Sequence, residues 1–220
     1  IRVKAAYGEN KEDLTWQQAY YIFFASRDGK VKKTALSDFA NVRRGGIIAI
    51  KLEDDDQLVD VVMISSGTDV LLATKHGMAI RFNEKQARSM GRNTRGVKGI
   101  SLTQKDALVG MVALDPNATL LSVCENGYGK RTPIEDFHSQ GRGGKGVIAI
   151  RTSERNGQLI GALQISDDNE VMLISSSGTL VRTPVADIST MGRNTQGVKL
   201  IRLDEGDRLV GLERVEILQE

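Results

Sequence analysis

Four times along this chain a glycine at a turn signal is followed fifteen residues later by an arginine. The pairs are Gly29 and Arg44, Gly77 and Arg92, Gly127 and Arg142, and Gly178 and Arg193. Successive glycines lie 48, 50 and 51 residues apart. A period near fifty, present four times, means one supersecondary unit copied in series rather than a chain organised around a single active site. A basic residue at one place in every copy sets positive charges at regular spacing, the geometry needed to hold a long polyanion.

The third copy shows the unit most clearly. Leu120 to Cys124 is a short apolar run, and Asn126-Gly127 is a strong hairpin signal because both turn positions favour positive φ. Tyr128 to Pro133 returns as a second strand, Ile134 to Ser139 crosses irregularly, and Gln140 to Gly146 is too rich in glycine for regular structure. Val147 to Ile150 reads as a third strand and, after a turn, Leu159 to Ile165 as the fourth. The other first hairpins turn at Asp28-Gly29, His76-Gly77 and Ser177-Gly178. Four short strands per unit, with almost no helical periodicity, predict an all-β, propeller-like array of four-stranded blades that stabilise one another by stacking. The expected repeats run over about 20–65, 69–115, 119–166 and 170–216 of a single domain spanning 1–220. Residues 1–19 read as a clipped strand, Ile1 to Ala6, and a polar loop whose Trp16 packs back on a blade.

Twenty-three glycines against three prolines fit many tight turns. No apolar run approaches the roughly 18 residues of a membrane helix, so no membrane partner is expected. The start at Ile1, without methionine or an apolar leader, is that expected of a fragment. One cysteine, Cys124, excludes an intrachain disulfide and reads as a buried strand residue in a reducing cytoplasm. The acidic run Glu53 to Asp56 reads as a solvated turn.

Net charge is only +2, from 30 Lys+Arg against 28 Asp+Glu, so anion binding must come from placement. Three basic registers recur. The first is Arg44, Arg92, Arg142 and Arg193; the second, four residues past each tip glycine, is Lys33, Arg81, Arg131 and Arg182. The third is Lys51, Arg151 and Arg202, broken by Ser101. Arg43, Arg95, Lys98, Lys145 and Lys199 lie near the glycine segment, and Lys30, Lys32 and Lys130 near the second register. Together they predict a basic belt. In Arg142-Gly143-Gly144-Lys145-Gly146 the missing Cβ atoms let backbone N–H groups approach phosphate oxygens. Asn93-Thr94 and Asn194-Thr195 replace those glycines in the second and fourth copies, and both residue types donate to phosphate.

No catalytic constellation is visible and no metal site is expected. His76 and His138 read as surface residues, and Tyr7, Tyr20, Tyr21 and Tyr128 as no strand-passage nucleophile. Aromatics at 5% and the lack of a recognition helix leave backbone contact with duplex, indifferent to sequence.

Gln140-Gly141-Arg142-Gly143-Gly144-Lys145-Gly146 resembles the glycine-rich box of the C-terminal domain of the bacterial DNA gyrase A protein. Met191 to Val198 and Asn126 to Thr132 resemble its later blades. The resemblance runs from about Tyr21 to Val215 and departs at Gly141, where that family's strict box has arginine. It implies a β-pinwheel whose blades exchange strands, of which this chain holds the last four, with the first two blades and the strict box upstream. It implies wrapping of duplex DNA around a basic rim for negative supercoiling, with the rest of the gyrase A protein, joined by gyrase B, in an A2B2 complex. No cofactor is expected in this piece; ATP and Mg2+ act in other domains. The C-terminal domain of topoisomerase IV, binding without strong wrapping, and a protein-interaction propeller are the alternatives.

Overall fold

A computed structural model describes residues 20–41 and 44–215. The loop before Tyr20 with Trp16, and Arg43 of the basic belt, lie outside the described residues. Repeat 1 contributes β1 (Tyr20–Ser26), β2 (Lys30–Ala35) and β3 (Leu58–Ser65). Repeat 2 contributes β4 (Asp69–Thr74), β5 (Met78–Asn83), β6 (Val97–Lys98) and β7 (Leu108–Ala113). Repeat 3 contributes β8 (Thr119–Cys124), β9 (Tyr128–Pro133), β10 (Val147–Ile148) and β11 (Leu159–Ile165). Repeat 4 contributes β12 (Glu170–Ser175), β13 (Leu180–Pro184), β14 (Val198–Lys199) and β15 (Leu209–Val215).

The strands form antiparallel sheets ordered β3-β1-β2-β6, β7-β4-β5-β10, β11-β8-β9-β14 and β15-β12-β13. Each blade's outermost strand is therefore donated by the following repeat: Val97–Lys98 pairs with Val31 and Lys30, and Val198–Lys199 with Gly129 and Tyr128. A repeat read along the sequence thus supplies three strands to its own blade and one to its predecessor. The fourth sheet has three strands among the described residues. The long strands β3, β7, β11 and β15 pack on one another in turn, so they are the inner strands and the donated pairs the outer edge.

Alternation along the middle strands explains how the blades stack. Val70 and Leu72 of β4 enter the core shared with repeat 1, whereas Leu71 and Ala73 enter the core shared with repeat 3. In β8, Leu120 and Cys124 face one way and Leu121 and Val123 the other. Both faces are covered, which is why these strands are continuously apolar rather than alternating. Cys124 is buried, and burial pushes its thiol pKa up to about 12.

The tip glycine serves the strand exchange as well as the turn. The Gly77 carbonyl accepts the N–H groups of Ala149 (2.8 Å) and Ile150 (3.2 Å), which follow the donated strand. Gly146, just before that strand, has φ +74°, and a Cβ there would lie 2.3 Å from the Ala79 carbonyl oxygen. Gly146→Ala is expected to destabilise by more than about 1 kcal/mol through this clash and the left-handed backbone. A thermal melt matching the wild type would show that the donated strand is not held here.

Candidate nucleic-acid interface

The box loops and the donated strands meet at each seam between repeats. One side-chain nitrogen (Nη1) of Arg92 donates to the Ile48 carbonyl at 3.2 Å, and that of Arg193 to the Ile148 carbonyl at 3.0 Å. Arg142 bonds the Lys98 carbonyl in the same way. Each arginine is half-buried and anchored to the preceding repeat, Arg142 also through its Nε to the Gln86 carbonyl (3.1 Å), with other donors still available. Beside it, the Lys51 N–H donates to Thr94 O (3.1 Å), Ser101 to Gly144 O (2.8 Å) and Arg151 to Thr195 O (2.9 Å). The third register and the box loops, about forty residues apart in sequence, are therefore neighbours across each seam.

Three composite basic patches result. Lys51, Arg92 and Arg95 gather at the first seam, Lys98, Arg142 and Lys145 at the second, and Arg151 and Arg193 at the third. Lys51, Arg95, Lys98, Lys145 and Arg151 are exposed, as are Lys199 and Arg202. Every patch borders a donated segment, hence the outer edge of the sheets. The patches are not free of acid: Arg95 lies 3.8 Å from Glu53, which also pairs with Lys30. Lys199 and Arg155 both lie over the Tyr128 ring, 5.3 and 4.9 Å from its centroid. Arg44 is exposed. Within the box-like loop, Gln140 N–H bonds the Arg81 carbonyl, the Gln140 carbonyl accepts from Gln86, and nothing crowds Gly141.

The second register does something else. Lys33 is 6% exposed and pairs with Glu84, itself 1% exposed, beneath the Tyr21 ring. Arg81 bonds Asp69 (2.8 Å) and the carbonyls of Ile134 and Phe137. Arg131 is buried, donating to the Ile188 carbonyl (2.7 Å) and pairing with Asp167. These cations bond carbonyls at the short 3₁₀ turn that opens the crossing segment of the next repeat: Lys33 that of Glu84, Arg81 those of Ile134 and Phe137, and Arg131 that of Ile188. Lys33, Arg131 and Lys130 thus do not join an outward belt, contrary to the sequence expectation. Both faces of the strand are covered, so the adjacent Lys130 and Arg131 each meet protein carbonyls, on opposite sides of it. Arg182 has no following turn among the described residues and pairs with Glu170 in the open.

One position nearer the tip, Lys130 is wholly buried, its ammonium donating to the carbonyls of Gly192 (2.6 Å) and Arg193 (2.5 Å). Lys32 bonds the carbonyls of Ala49 (2.7 Å) and Arg92. Burial, and then the adjoining Arg193 or Arg92 charge, push both ammonium groups down to about 8.

Sequence reasoning missed a fourth register. Asp56, read as solvated, is buried, and its carboxylate accepts the N–H of Asp28 at the hairpin tip (2.9 Å). Asp106 accepts from His76 (2.9 Å) and Asp207 from Ser177 (3.0 Å). Hydroxyl donors from Ser176 first, then Ser175 and Ser177, hold the Asp207 carboxyl well below the usual range. The signal was present: these aspartates recur at the repeat period, and repeat 3 substitutes Asn156. Asp106→Ala should cost about 1 to 3 kcal/mol, read as a lowered melting temperature; no change would dissolve the latch.

Comparison with known proteins decides the relationship. The sequence profile of the DNA gyrase C-terminal domain, a beta-propeller, matches residues 20–65, 68–115, 119–166 and 169–216. The chain belongs to that family. It is 47% identical over 214 residues to the DNA gyrase A protein of Pseudomonas aeruginosa, covering 97% of this chain and 23% of that protein. It is 58% identical over 198 residues to the gyrase A protein of Halalkalibacterium halodurans, covering 90% and 24%. This gyrase C-terminal domain chain therefore spans about a quarter of the curated relatives it matches. Its fold superposes on a DNA gyrase A C-terminal domain with a TM-score of 0.81 at 29% identity, covering 90% of this chain and 66% of that one. A topoisomerase IV C-terminal domain superposes with a TM-score of 0.85 at 26% identity, covering 90% and 62%.

Proposed function

We infer that this chain is the DNA-holding part of a gyrase-type, ATP-dependent type II topoisomerase. It binds duplex DNA by its phosphates, without regard to sequence, and bends it along the outer edge. Lys51, Arg92, Arg95, Lys98, Arg142, Lys145, Arg151, Arg193, Lys199 and Arg202 carry the contacts, with Arg44 extending the row. The observation that carries this reading is the recurrence of one composite cationic patch at every described seam. Bending some 20 to 30 base pairs sharply costs on the order of 1 to 6 kcal/mol, so a row of spaced grips suits the task better than one strong site.

The four repeats act as one array, about 20–65, 69–115, 119–166 and 170–216. The work of the whole enzyme draws on the remainder of the gyrase A protein, joined by gyrase B in an A2B2 complex. ATP and Mg2+ act outside this chain, in the cytoplasm. Among the described residues no helix is long and apolar enough to cross a membrane.

Random-sequence duplex titrated at several salt concentrations tests the reading. If about six to ten phosphates are held, affinity should fall by about 10³ to 10⁵ between 50 and 200 mM salt. Indifference to duplex at low salt would favour a protein-interaction propeller instead. The fold likeness to a topoisomerase IV domain keeps weak wrapping as a second reading. Relaxed circles that gain positive writhe on binding support gyrase-type wrapping; binding without writhe supports the other.

A further inference from the structure

The described seams differ beneath their box loops. Repeats 1 and 3 place a lysine there, Lys32 or Lys130, followed six residues on by Asp38 or Asp136; repeat 2 has Ile80 and Gln86 at those positions. The lysines lie under the two Arg-Asn-Thr loops, whereas Ile80 lies under the glycine-rich one, 3.5 Å from where a Gly144 Cβ would be.

At the Lys130 seam the ammonium draws the carbonyls of Gly192 and Arg193 inward. Thr195 closes the same two oxygens from within the loop, its hydroxyl on Gly192 O (3.1 Å) and its N–H on Arg193 O (3.0 Å). A trans peptide sets its C=O and N–H on opposite sides. The amides of Arg193 and Asn194 are therefore turned outward, and among the described residues neither meets an acceptor. Lys32 holds Arg92 O, which turns the Asn93 amide out likewise, and the Thr94 hydroxyl closes Gly91 O (2.9 Å). In the glycine-rich loop the matching amides are already used: Arg142 N–H bonds the Gln86 side chain (2.6 Å) and Gly143 N–H the Gly99 carbonyl (2.7 Å).

We propose that the outward amides of Arg193 and Asn194, with that of Asn93, are main-chain subsites for phosphodiester oxygens, set in place by the buried Lys130 and Lys32. The glycine-rich loop has no such subsite and grips by the side chains of Arg142 and Lys145 alone. Successive N–H groups facing one way form a concave anion site. Lys130, being fully buried, acts as a positioning residue and never meets the phosphate. The proposal rests on the duplex-binding reading above.

Amide NMR of the full 220-residue chain tests it, with short random duplex at low salt and, separately, with inorganic phosphate. Arg193, Asn194 and Asn93 amide protons should move downfield on duplex binding while Arg142 and Gly143 stay. Equal movement at Arg142 and Gly143, or stillness at Arg193 and Asn194 while duplex binds, overturns it. If duplex is ignored, the functional reading fails, and the phosphate titration alone decides the anion site by the same residues. A second arm exchanges Lys130→Ile with Asp136→Gln, a charge-neutral copy of the repeat 2 pair. Duplex binding at fixed salt should weaken about tenfold with the salt slope unchanged, because a neutral donor rather than a cation is lost. Unchanged affinity in a folded variant overturns the positioning role.

Discussion

Exchanging Lys51, Lys98, Lys145 and Arg151 for glutamine makes duplex binding weaker and far less sensitive to salt, while the protein melts where the wild type does. These four are exposed and distributed over the three seams. Each phosphate released from a cation returns one condensed counterion, so the slope of log affinity against log salt should become shallower by about 0.9 per lost contact, roughly 3 to 4 in all. Exposed cations of this kind contribute within about 0.5 kcal/mol each to stability. A measured slope equal to that of the wild type would mean that DNA, if bound, runs elsewhere on the molecule.

Lys33→Met should have the opposite profile. It leaves the Glu84 carboxylate buried without its cation, and breaking such a pair costs about 3 to 5 kcal/mol. For a domain of this size that lowers the melting temperature by roughly 10 °C. Adding Glu84→Gln removes the stranded charge and should recover part of the loss, a coupling that a double-mutant cycle measures. The salt slope of the folded fraction should not change. If Lys33→Met melts with the wild type yet flattens the slope, Lys33 belongs to the interface and the seam assignment is wrong. The contrast between the two experiments separates cations that face DNA from cations that hold blades together, although both recur at the same period.

Much of this architecture was legible in the residues. The Gly-to-Arg spacing located every hairpin tip and every box arginine, because a copied unit must place its turn residues and its charges in step. The aspartate latch was equally periodic, and Asp56 was misread only because its acidic neighbours Glu53, Asp54 and Asp55 are indeed exposed. The third strand was located in the third copy, yet its blade was not: pairing Val147–Ile148 with β5 rather than with its own repeat is a long-range choice that local pattern does not express. In repeat 1 the matching segment Ile47 to Ile50 forms no strand.

The direction of the lysines was hidden for a related reason. In a half-exposed strand, apolar alternation tells which side faces water. Here both sides of the middle strands face other blades, so Lys32 and Lys33 point into different parts of the protein and neither points out. The order of residues by itself determined an all-β array of four like units, with cations and glycines in step. Only the stacking of the units decided which cations are spent on carbonyls and which remain for an anion. That partition depends on what the neighbouring repeat places opposite each side chain, and such opposition exists only once the blades have closed on one another.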